Sequence, residues 1–165
     1  MSIVIYPGSF DPITFGHLDV VQRASRMFDR VIIAVANNYS KTHLFSQLQR
    51  KRLVEKAVAG LENVEVDCLS GLLVDFVSRK KGDAVLRGLR ALSDFEFEFQ
   101  LALTNRKLKE EVETIFMMPK DIYTFLSSKI VKEIARLGGD IRDFVPAHVE
   151  KALNAKMKRS NKTSH

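Results

Sequence analysis

The sequence has one cysteine, no tryptophan and no long apolar run. A single thiol, Cys68, excludes an internal disulfide and a cysteine-rich metal site. It lies in a strand-like run at 64–69, so we expect it to be a core residue and not a nucleophile. No apolar run is long enough to cross a membrane, and the N-terminus is too short and uncharged for a signal peptide. We therefore expect a cytoplasmic protein without a membrane partner.

Acidic residues are absent from 156–165, a segment with four basic residues, Lys156, Lys158, Arg159 and Lys162. These account for four of the six net positive charges, so the rest of the chain is only +2. A short basic tail is more often a solvated chain end than a binding arm, and we expect no nucleic-acid partner. A length of 165 residues fits one domain, predicted at 1–155 and followed by a flexible basic tail at 156–165.

No repeat, low-complexity segment or linker divides the chain, and strands alternate with helices instead. Continuous apolar runs predict strands at 2–6, 31–36, 64–69, 84–86 and 113–118. Helices are predicted at 16–28, 46–59, 72–81, 93–108, 127–137 and 146–157. Ser46 and Gln49 form a capping box, and Ser93 or Asp94 is the expected cap of the fourth helix. This alternation predicts an α/β fold, a doubly wound parallel sheet of five strands with helices on both faces.

Ligands of such sheets bind outside the carboxyl ends of the strands, and the loop after the first strand, YPGSFDPITFGH at 6–17, lies there. Gly8 lets the backbone approach a ligand, and Ser9 offers a hydroxyl and its own N–H. His17, at a helix N-terminus, can donate a hydrogen bond to a phosphate oxygen. An isolated Gly-His pair would indicate only a helix cap, but the rest of this loop favours a phosphate contact. The loop has neither the Walker A ending nor the GxGxxG spacing.

The loops after the second and fourth strands carry cations. Lys41 can reach a phosphate as a point charge, whereas the nearby His43 is interpreted as solvated. The segment RGLRALSDFEFE at 87–98 contains Arg87 and Arg90, and guanidinium forks suit phosphate oxygens. Asp94 and Glu98, four positions apart on the predicted helix, would place carboxylates beside these arginines, and they fit a salt-bridged helix cap equally well.

The loop after the fifth strand, 123–129, leads into a helix through consecutive hydroxyls at Ser127 and Ser128. Hydroxyls at a helix start are commonly N-caps. They fit the outer phosphates of a nucleoside triphosphate equally well, because the helix N-terminus attracts anions. Both interpretations stay open from the residues alone.

Five segments, taken in order, resemble the bacterial phosphopantetheine adenylyltransferases of the nucleotidylyltransferase superfamily. They are YPGSFDPITFGH, Ser40-Lys41, GLLVDF at 71–76, RGLRALSDFEFE, and FLSSKIVKE at 125–133. The short T/HxGH signature of the superfamily is present as Thr14-Phe15-Gly16-His17. The resemblance covers nearly the whole chain, about 6–153, and implies a Rossmann-like nucleotidylyltransferase fold.

The resemblance also implies residue roles. The catalytic residues would be His17, Lys41 and Arg90, with His17 stabilising the transition state at the α-phosphate of ATP. The acceptor 4′-phosphopantetheine would contact Ser9, Lys41, Leu73 and Arg87. ATP would contact Ser9, Phe10, His17, Gly88, Leu89, Arg90, Glu98, Tyr123, Thr124, Phe125, Leu126, Ser127, Ser128 and Lys129. Two positions depart from the family's pattern: Lys129 replaces a third hydroxyl, and Ser9 replaces the common threonine.

The implied reaction transfers an adenylyl group from ATP to 4′-phosphopantetheine and releases dephospho-CoA and pyrophosphate. A phosphate oxygen would attack the α-phosphorus directly, without a covalent enzyme intermediate. Mg²⁺ would accompany ATP, and no protein cage for a metal is visible in the sequence. The family further implies a homohexamer and feedback binding of coenzyme A.

Two alternatives stay open at this point. A related enzyme could transfer the nucleotidyl group to another phosphorylated acceptor, such as nicotinamide mononucleotide or glycerol phosphate, because the T/HxGH signature permits all of these. The basic isoelectric point also fits a nonenzymatic nucleotide- or RNA-binding module. Against that module stand the concentration of charge in the tail and the absence of interleaved aromatic and basic residues.

Overall fold

A computed structural model describes residues 1–37, 40 and 42–162, without the side chains of 92, 93 and 159–162. In this part of the chain, five strands form one sheet in the order β3-β2-β1-β4-β5, and every neighbouring pair is parallel. The strands are β1 (Ile3–Gly8), β2 (Arg30–Ala36), β3 (Val64–Leu69), β4 (Ala84–Gly88) and β5 (Glu113–Met117). The predicted five-stranded parallel sheet is confirmed.

Helices connect and follow the strands, as expected for parallel neighbours that need a crossover. They are α1 (Phe15–Met27), α2 (Gln47–Ala57), α3 (Leu73–Arg79), α4 (Leu92–Leu108), α5 (Ser128–Arg136) and α6 (Ala147–Lys162). A short 3-10 helix, Asp121–Tyr123, lies between β5 and α5. The predicted capping box begins α2: the Gln49 N–H donates to the Ser46 hydroxyl at 3.2 Å, and the Ser46 N–H donates to the Gln49 side chain at 3.0 Å.

The start of α4 differs from the prediction. The helix begins at Leu92, with Ala91 as its N-cap and no side-chain capping bond, so neither Ser93 nor Asp94 is the cap. Asp94 is already inside the first turn, where its carboxylate accepts a hydrogen bond from Arg90 at 3.0 Å. A carboxylate in the first turn also interacts favourably with the helix dipole. The predicted cap is therefore wrong because the acidic side chain pairs with an arginine instead.

Two strands extend two residues beyond their predicted ends. β1 reaches Gly8 because pairing with β2 continues, with Gly8 opposite Val35. β4 reaches Gly88, which pairs with Met117 of β5. The first residues of both candidate ligand-binding loops are consequently held in the sheet, which gives those loops rigid starting points.

Both faces of the sheet are covered, and alternate strand residues belong to two separate apolar clusters. One face carries Val4, Ile33 and Leu86, which pack with α1, α2, α5 and α6. The opposite face carries Ile5 and other strand residues that pack with α3. Because side chains point alternately to the two faces, burial of both explains why the strands are continuous apolar runs.

The order of the strands creates a switch point between β1 and β4. The chain proceeds outward from β1 through β2 to β3, then returns to the other side of β1 for β4 and β5. The loops that follow β1 and β4 therefore diverge at the carboxyl edge of the sheet. A crevice forms at such a point in open α/β sheets and commonly holds the ligand.

The last helix enters the segment predicted as a tail. α6 continues to Lys162, beyond the expected end at Met157, whose side chain is buried. Leu153 is fully buried one turn earlier and packs into the larger apolar cluster. The flexibility of 156–165 stays a prediction, but α6 continues past residue 156, where the predicted tail begins. None of the described helices has the length and apolar character required to span a membrane.

We expect Leu153→Ala to lower the free energy of unfolding by about 2–5 kcal/mol, because it leaves a cavity where α6 packs on the core. Leu48→Ala on α2 is the matched control, since 54 % of that side chain is exposed. Urea unfolding at one fixed protein concentration measures both values. A loss at Leu153 no larger than that at Leu48 would show that α6 contributes little to the domain.

Candidate functional site

A cavity of about 550 Å³ lies at the carboxyl ends of β1 and β4, at the switch point of the sheet. The four candidate loops contribute to it together. The predicted site residues in its lining are Ser9, Phe10, His17, Arg87, Gly88, Arg90, Glu98, Tyr123, Leu126, Ser127, Ser128 and Lys129. The structure therefore brings most of the predicted residues to one place, although they are up to 120 positions apart in the sequence.

Four predicted residues lie outside this lining, and each has another contact. Leu73 begins α3 and packs with the apolar cluster on the opposite face of the sheet. The Leu89 N–H donates to the Met117 carbonyl at 3.0 Å. The Thr124 hydroxyl donates to the carbonyl of Asp121, and the Phe125 ring meets Phe144 edge-to-face.

Lys41, the predicted acceptor-binding lysine, lies outside the described residues. Its neighbours Thr42 and His43 line the cavity, so the second loop reaches the site. His43 was interpreted from the sequence as solvated, whereas its side chain is half-buried. Burial of a loop histidine depends on the loops packed around it, which no local pattern records.

His17 completes the capping box of α1, whose N-cap is Thr14, and also lines the cavity. Its Nδ1 accepts a hydrogen bond from the Thr14 N–H at 3.0 Å, and the His17 N–H donates to the Thr14 hydroxyl at 3.4 Å. Because the backbone N–H can only donate, Nδ1 must be the unprotonated nitrogen of the neutral ring. The hydrogen of the imidazole is then on Nε2. The cap thereby selects the tautomer of the ring.

Burial, and to a smaller extent the positive charge of Arg90, lower the pKa of His17 to about 4. The ring is consequently neutral at pH 7. The Phe10 ring contacts it edge-to-face, with centroids 5.1 Å apart. A neutral imidazole held in this way offers one N–H donor and does not carry a positive charge.

Arg87 is held by three hydrogen bonds at the edge of the cavity. Its Nε and Nη2 donate to the two carboxylate oxygens of Glu98 at 2.6 and 2.7 Å, and its Nη1 donates to the Pro7 carbonyl at 3.2 Å. Both partners are largely buried. This bidentate pair fixes the plane of the guanidinium while leaving N–H groups for another ligand.

Arg90 is fixed in a similar way, by Asp94, which lies one turn nearer the start of α4 than Glu98 does. It donates to Asp94 at 3.0 Å and to the Leu126 carbonyl at 3.0 Å, which ties the fourth loop to the fifth. The sequence left open whether the acidic residues of α4 form a salt-bridged cap or lie beside a ligand site. The structure has the salt bridges, although neither carboxylate is the cap, and each arginine that pairs with α4 also lines the cavity.

The hydroxyls at the start of α5 likewise have structural partners. Ser127 is the N-cap and accepts a hydrogen bond from the Ile130 N–H at 3.2 Å. Ser128 donates to the Pro12 carbonyl at 2.7 Å, which ties α5 to the first loop. The cavity thus lies beside a helix N-terminus, whose free N–H groups and dipole favour an anion. Lys129 and Lys132 in the lining add positive charge there.

Tyr6 and Asp11 line the cavity although no role was predicted for them. Burial raises the pKa of Tyr6, against the opposing charges of Arg87 and Arg90, so its hydroxyl keeps its proton at pH 7. Asp11 is buried and pairs with Lys132 at 3.0 Å. Asp11 belongs to the first loop, and its partner lies 121 positions away, so the pair was not detectable from the sequence.

The described part of the chain contains no cluster of three or more histidine, cysteine or acidic side chains that could hold a metal ion. Two carboxylates line the cavity, those of Asp11 and Glu98. Each is already engaged by a cation, Lys132 and Arg87 respectively. The cavity therefore suits anions, because its lining offers the neutral donor His17 and the cations Arg87 and Arg90.

Comparison with known proteins agrees with this geometry. The family model described as cytidylyltransferase-like matches residues 5–134. Among solved structures, a Vibrio parahaemolyticus protein provisionally named a nicotinate-nucleotide adenylyltransferase superimposes with a TM-score of 0.72, at 21% identity and with 96% of each chain covered. At that identity the likeness concerns the fold.

Two curated relatives are much closer in sequence. The phosphopantetheine adenylyltransferase of Alkaliphilus oremlandii is 50% identical over 153 residues, which cover 93% of this chain and 98% of the relative. That of Thermodesulfovibrio yellowstonii is 51% identical over 156 residues, covering 94% and 97%. With this identity along almost its whole length, the chain belongs to the phosphopantetheine adenylyltransferases, within the cytidylyltransferase-like family.

Proposed function

We propose that this enzyme transfers the adenylyl group of ATP to 4′-phosphopantetheine and releases dephospho-CoA and pyrophosphate. The observation that supports this most directly is a cavity at the β1/β4 switch point that combines neutral His17 with the cations Arg87, Arg90, Lys129 and Lys132. The chain is also 50% identical to a phosphopantetheine adenylyltransferase. Both substrates are phosphate anions, and the lining offers the donors that such anions bind.

The reaction needs no general base from the protein. The nucleophile is a phosphate oxygen of the acceptor, and a phosphate monoester is already ionised near neutral pH. It attacks the α-phosphorus of ATP in line with the departing pyrophosphate. Catalysis then consists of aligning two phosphates and neutralising their charge, as in other phosphoryl-type transfers. The tautomer of His17 agrees with this, because Nδ1 is occupied by the Thr14 N–H and the remaining ring nitrogen, Nε2, is a donor.

We assign His17 to the α-phosphate, where its Nε2–H would donate to an oxygen that gains charge in the transition state. A fixed tautomer is useful here because the donor needs no reorientation during the reaction. Arg90 would neutralise the phosphates of ATP beside it, and its tie to the Leu126 carbonyl would hold the fifth loop against the nucleotide.

The remaining contacts follow the predicted assignment. The acceptor would bind Ser9, Lys41, Leu73 and Arg87. ATP would bind Ser9, Phe10, His17, Gly88, Leu89, Arg90, Glu98 and the segment 123–129. The Arg87–Glu98 pair adds a constraint to this assignment, because one carboxylate would serve the nucleotide and also orient the arginine that binds the acceptor.

Mg²⁺ would enter the site with ATP and neutralise charge on its phosphates. This ion usually keeps several waters and binds through substrate phosphates, so it does not require a cage of carboxylates. The carboxylates of Asp11 and Glu98, already paired with cations, fit that arrangement.

We also propose that the enzyme is a homo-oligomer, with a homohexamer as the form implied by the family. α4 supports self-association because its described side chains include five large, exposed apolar ones, Phe95, Phe97, Phe99, Leu103 and Leu108. Phe95, Phe99 and Leu103 recur every four residues and therefore share one face of the helix, and exposed apolar patches commonly mark a protein interface. Feedback binding of coenzyme A and a cytoplasmic location stay predictions from the sequence.

The proposed reaction predicts pyrophosphate release from ATP and Mg²⁺ that depends on 4′-phosphopantetheine, with dephospho-CoA formed in equal amount. Nicotinamide mononucleotide serves as the comparison acceptor, and chelation of Mg²⁺ should abolish release. Release with nicotinamide mononucleotide alone would assign a different acceptor. No release with either acceptor, together with salt-sensitive RNA binding, would favour a binding module.

Replacing His17 separates its two roles. His17→Gln keeps the capping box, because glutamine at this helix position can accept from the Thr14 N–H, but it removes the imidazole. We expect kcat to fall by about 10²-fold or more in His17→Gln and in His17→Ala, with little change in ATP affinity. Only His17→Ala should also lose about 1 kcal/mol of stability. Near-normal kcat in His17→Gln would remove His17 from the mechanism.

The pKa of His17 gives an independent check. In an NMR titration of the histidine rings, the signal missing from His17→Gln should titrate near pH 4, well below the ordinary value of 6.5. Arg90→Met should raise this pKa, because it removes a positive charge that disfavours the protonated ring. It should stay below 6.5, since burial is the larger cause. A His17 pKa at or above 6.5 would contradict the neutral donor.

A further inference from the structure

Arg50 is the largest fully buried side chain of the described residues, yet it lies outside the cavity lining. It projects from the first turn of α2, beneath the loops that follow β1 and β2. Buried arginines are usually paired with a carboxylate. The hydrogen-bond partners of this guanidinium are instead three backbone carbonyls and one side-chain amide.

These four acceptors come from two different loops. Nη1 donates to the Ser9 carbonyl at 2.5 Å and to the Ala36 carbonyl at 2.7 Å. Nη2 donates to the Asn37 side chain, and Nε donates to the Phe45 carbonyl at 3.1 Å. One planar group therefore joins the loop after β1 to both ends of the loop after β2. A guanidinium can do this because its five N–H groups point in fixed directions.

Asp11 completes the same connection from the other side. Its carboxylate accepts hydrogen bonds from the N–H groups of Leu44 and Phe45 at 2.8 and 3.0 Å. Phe45 is thus held at its N–H by Asp11 and at its carbonyl by Arg50. The negative charge of Asp11 also favours the charged guanidinium, whose pKa is lowered by burial.

The hydrogen bond from Arg50 to the Ser9 carbonyl also sets the direction of the Phe10 N–H. In a trans peptide the C=O and the following N–H point in opposite directions. The Ser9 carbonyl points towards buried Arg50, so the Phe10 N–H points in the opposite direction, away from Arg50. Ser9 and Phe10 both line the cavity. Phe10 has a φ of 48°, a left-handed conformation that is uncommon for a residue with a side chain. The surrounding contacts must therefore hold this backbone in place.

Burial of a charge is a poor source of stability, since the cost of removing it from water offsets most of what its partners return. The arrangement of Arg50 is better explained by what it orients. We propose that Arg50 is a positioning residue for adenylyl transfer: it turns the Ser9–Phe10 peptide so that the Phe10 N–H faces the phosphates of ATP, and it holds the second loop in register with the first. This inference rests on the proposed function.

The test compares Arg50→Lys and Arg50→Ala with Val54→Ala, a buried residue one turn further along α2 that packs in the apolar cluster. We expect kcat/KM for ATP to fall at least 10-fold in Arg50→Lys and further in Arg50→Ala. A lysine keeps the charge but cannot reach four acceptors from one plane. Val54→Ala should keep kcat/KM within twofold at an equal or larger loss of Tm.

A second measurement separates orientation from general damage. ATP binding is followed calorimetrically without acceptor, and we expect Arg50→Lys to weaken it several-fold while Val54→Ala leaves it unchanged. Equal ATP affinity and equal kcat/KM in the Arg50 and Val54 variants would overturn the proposal. If the wild-type enzyme binds ATP but does not use 4′-phosphopantetheine, the proposed function fails. The ATP affinities of the Arg50 and Val54 variants then decide by themselves whether Arg50 orients the ATP-binding backbone.

Asn37→Ala provides a milder variant in case replacement of Arg50 prevents folding. It removes a single partner of the guanidinium at an exposed position, so we expect the fold to be kept. A loss of about threefold in kcat/KM for ATP, without a matching loss of Tm, is the expected result. An unchanged kcat/KM in this variant, with Arg50 variants that do not fold, would assign Arg50 to folding alone and overturn the proposal.

Discussion

The site depends on the double pairing of β1. This strand is hydrogen-bonded to β2 on one side and to β4 on the other, and both partners are parallel to it. All three strands therefore end at the same edge, but the chain leaves that edge in two directions. The gap between the diverging loops is the cavity. Extension of the pairing to Gly8 and Gly88 keeps the entrance to each loop rigid.

At this edge, most of the charged side chains that line the cavity already have an ion-pair partner within the protein. Glu98 holds Arg87, and Asp94 holds Arg90, so both guanidinium planes are fixed by carboxylates four positions apart on α4. The lone histidine assigned to the α-phosphate is neutral because it is buried beside one of these arginines. Preorganised donors of this kind need little reorientation when charge develops, which is the main source of catalysis expected for phosphate transfer.

Several residues have a structural contact and a proposed substrate-binding role at once. His17 caps α1 and lines the cavity; Ser127 caps α5 and Ser128 ties it to the first loop. The sequence presented these roles as alternatives, and the structure shows that they are compatible. A cap uses one atom of the side chain and fixes its direction, so the remaining atoms are held in place for a ligand.

The sequence by itself determined the class of fold, the order of the elements, the four loops that contribute to the cavity and the family. These depend on local periodicity, on helix and turn chemistry, and on motifs that are contiguous in the chain. Only the tertiary structure decided the ion pair of Arg87 with Glu98, the hydrogen bond of Arg90 to the Leu126 carbonyl, the neutral state of His17 and the burial of Arg50. Each of these depends on residues distant in sequence that approach within hydrogen-bonding distance, or on the exclusion of water by packed loops. Neither long-range contacts nor the exclusion of water produces a periodic pattern in the sequence, because both arise only when the loops meet at the edge of the sheet.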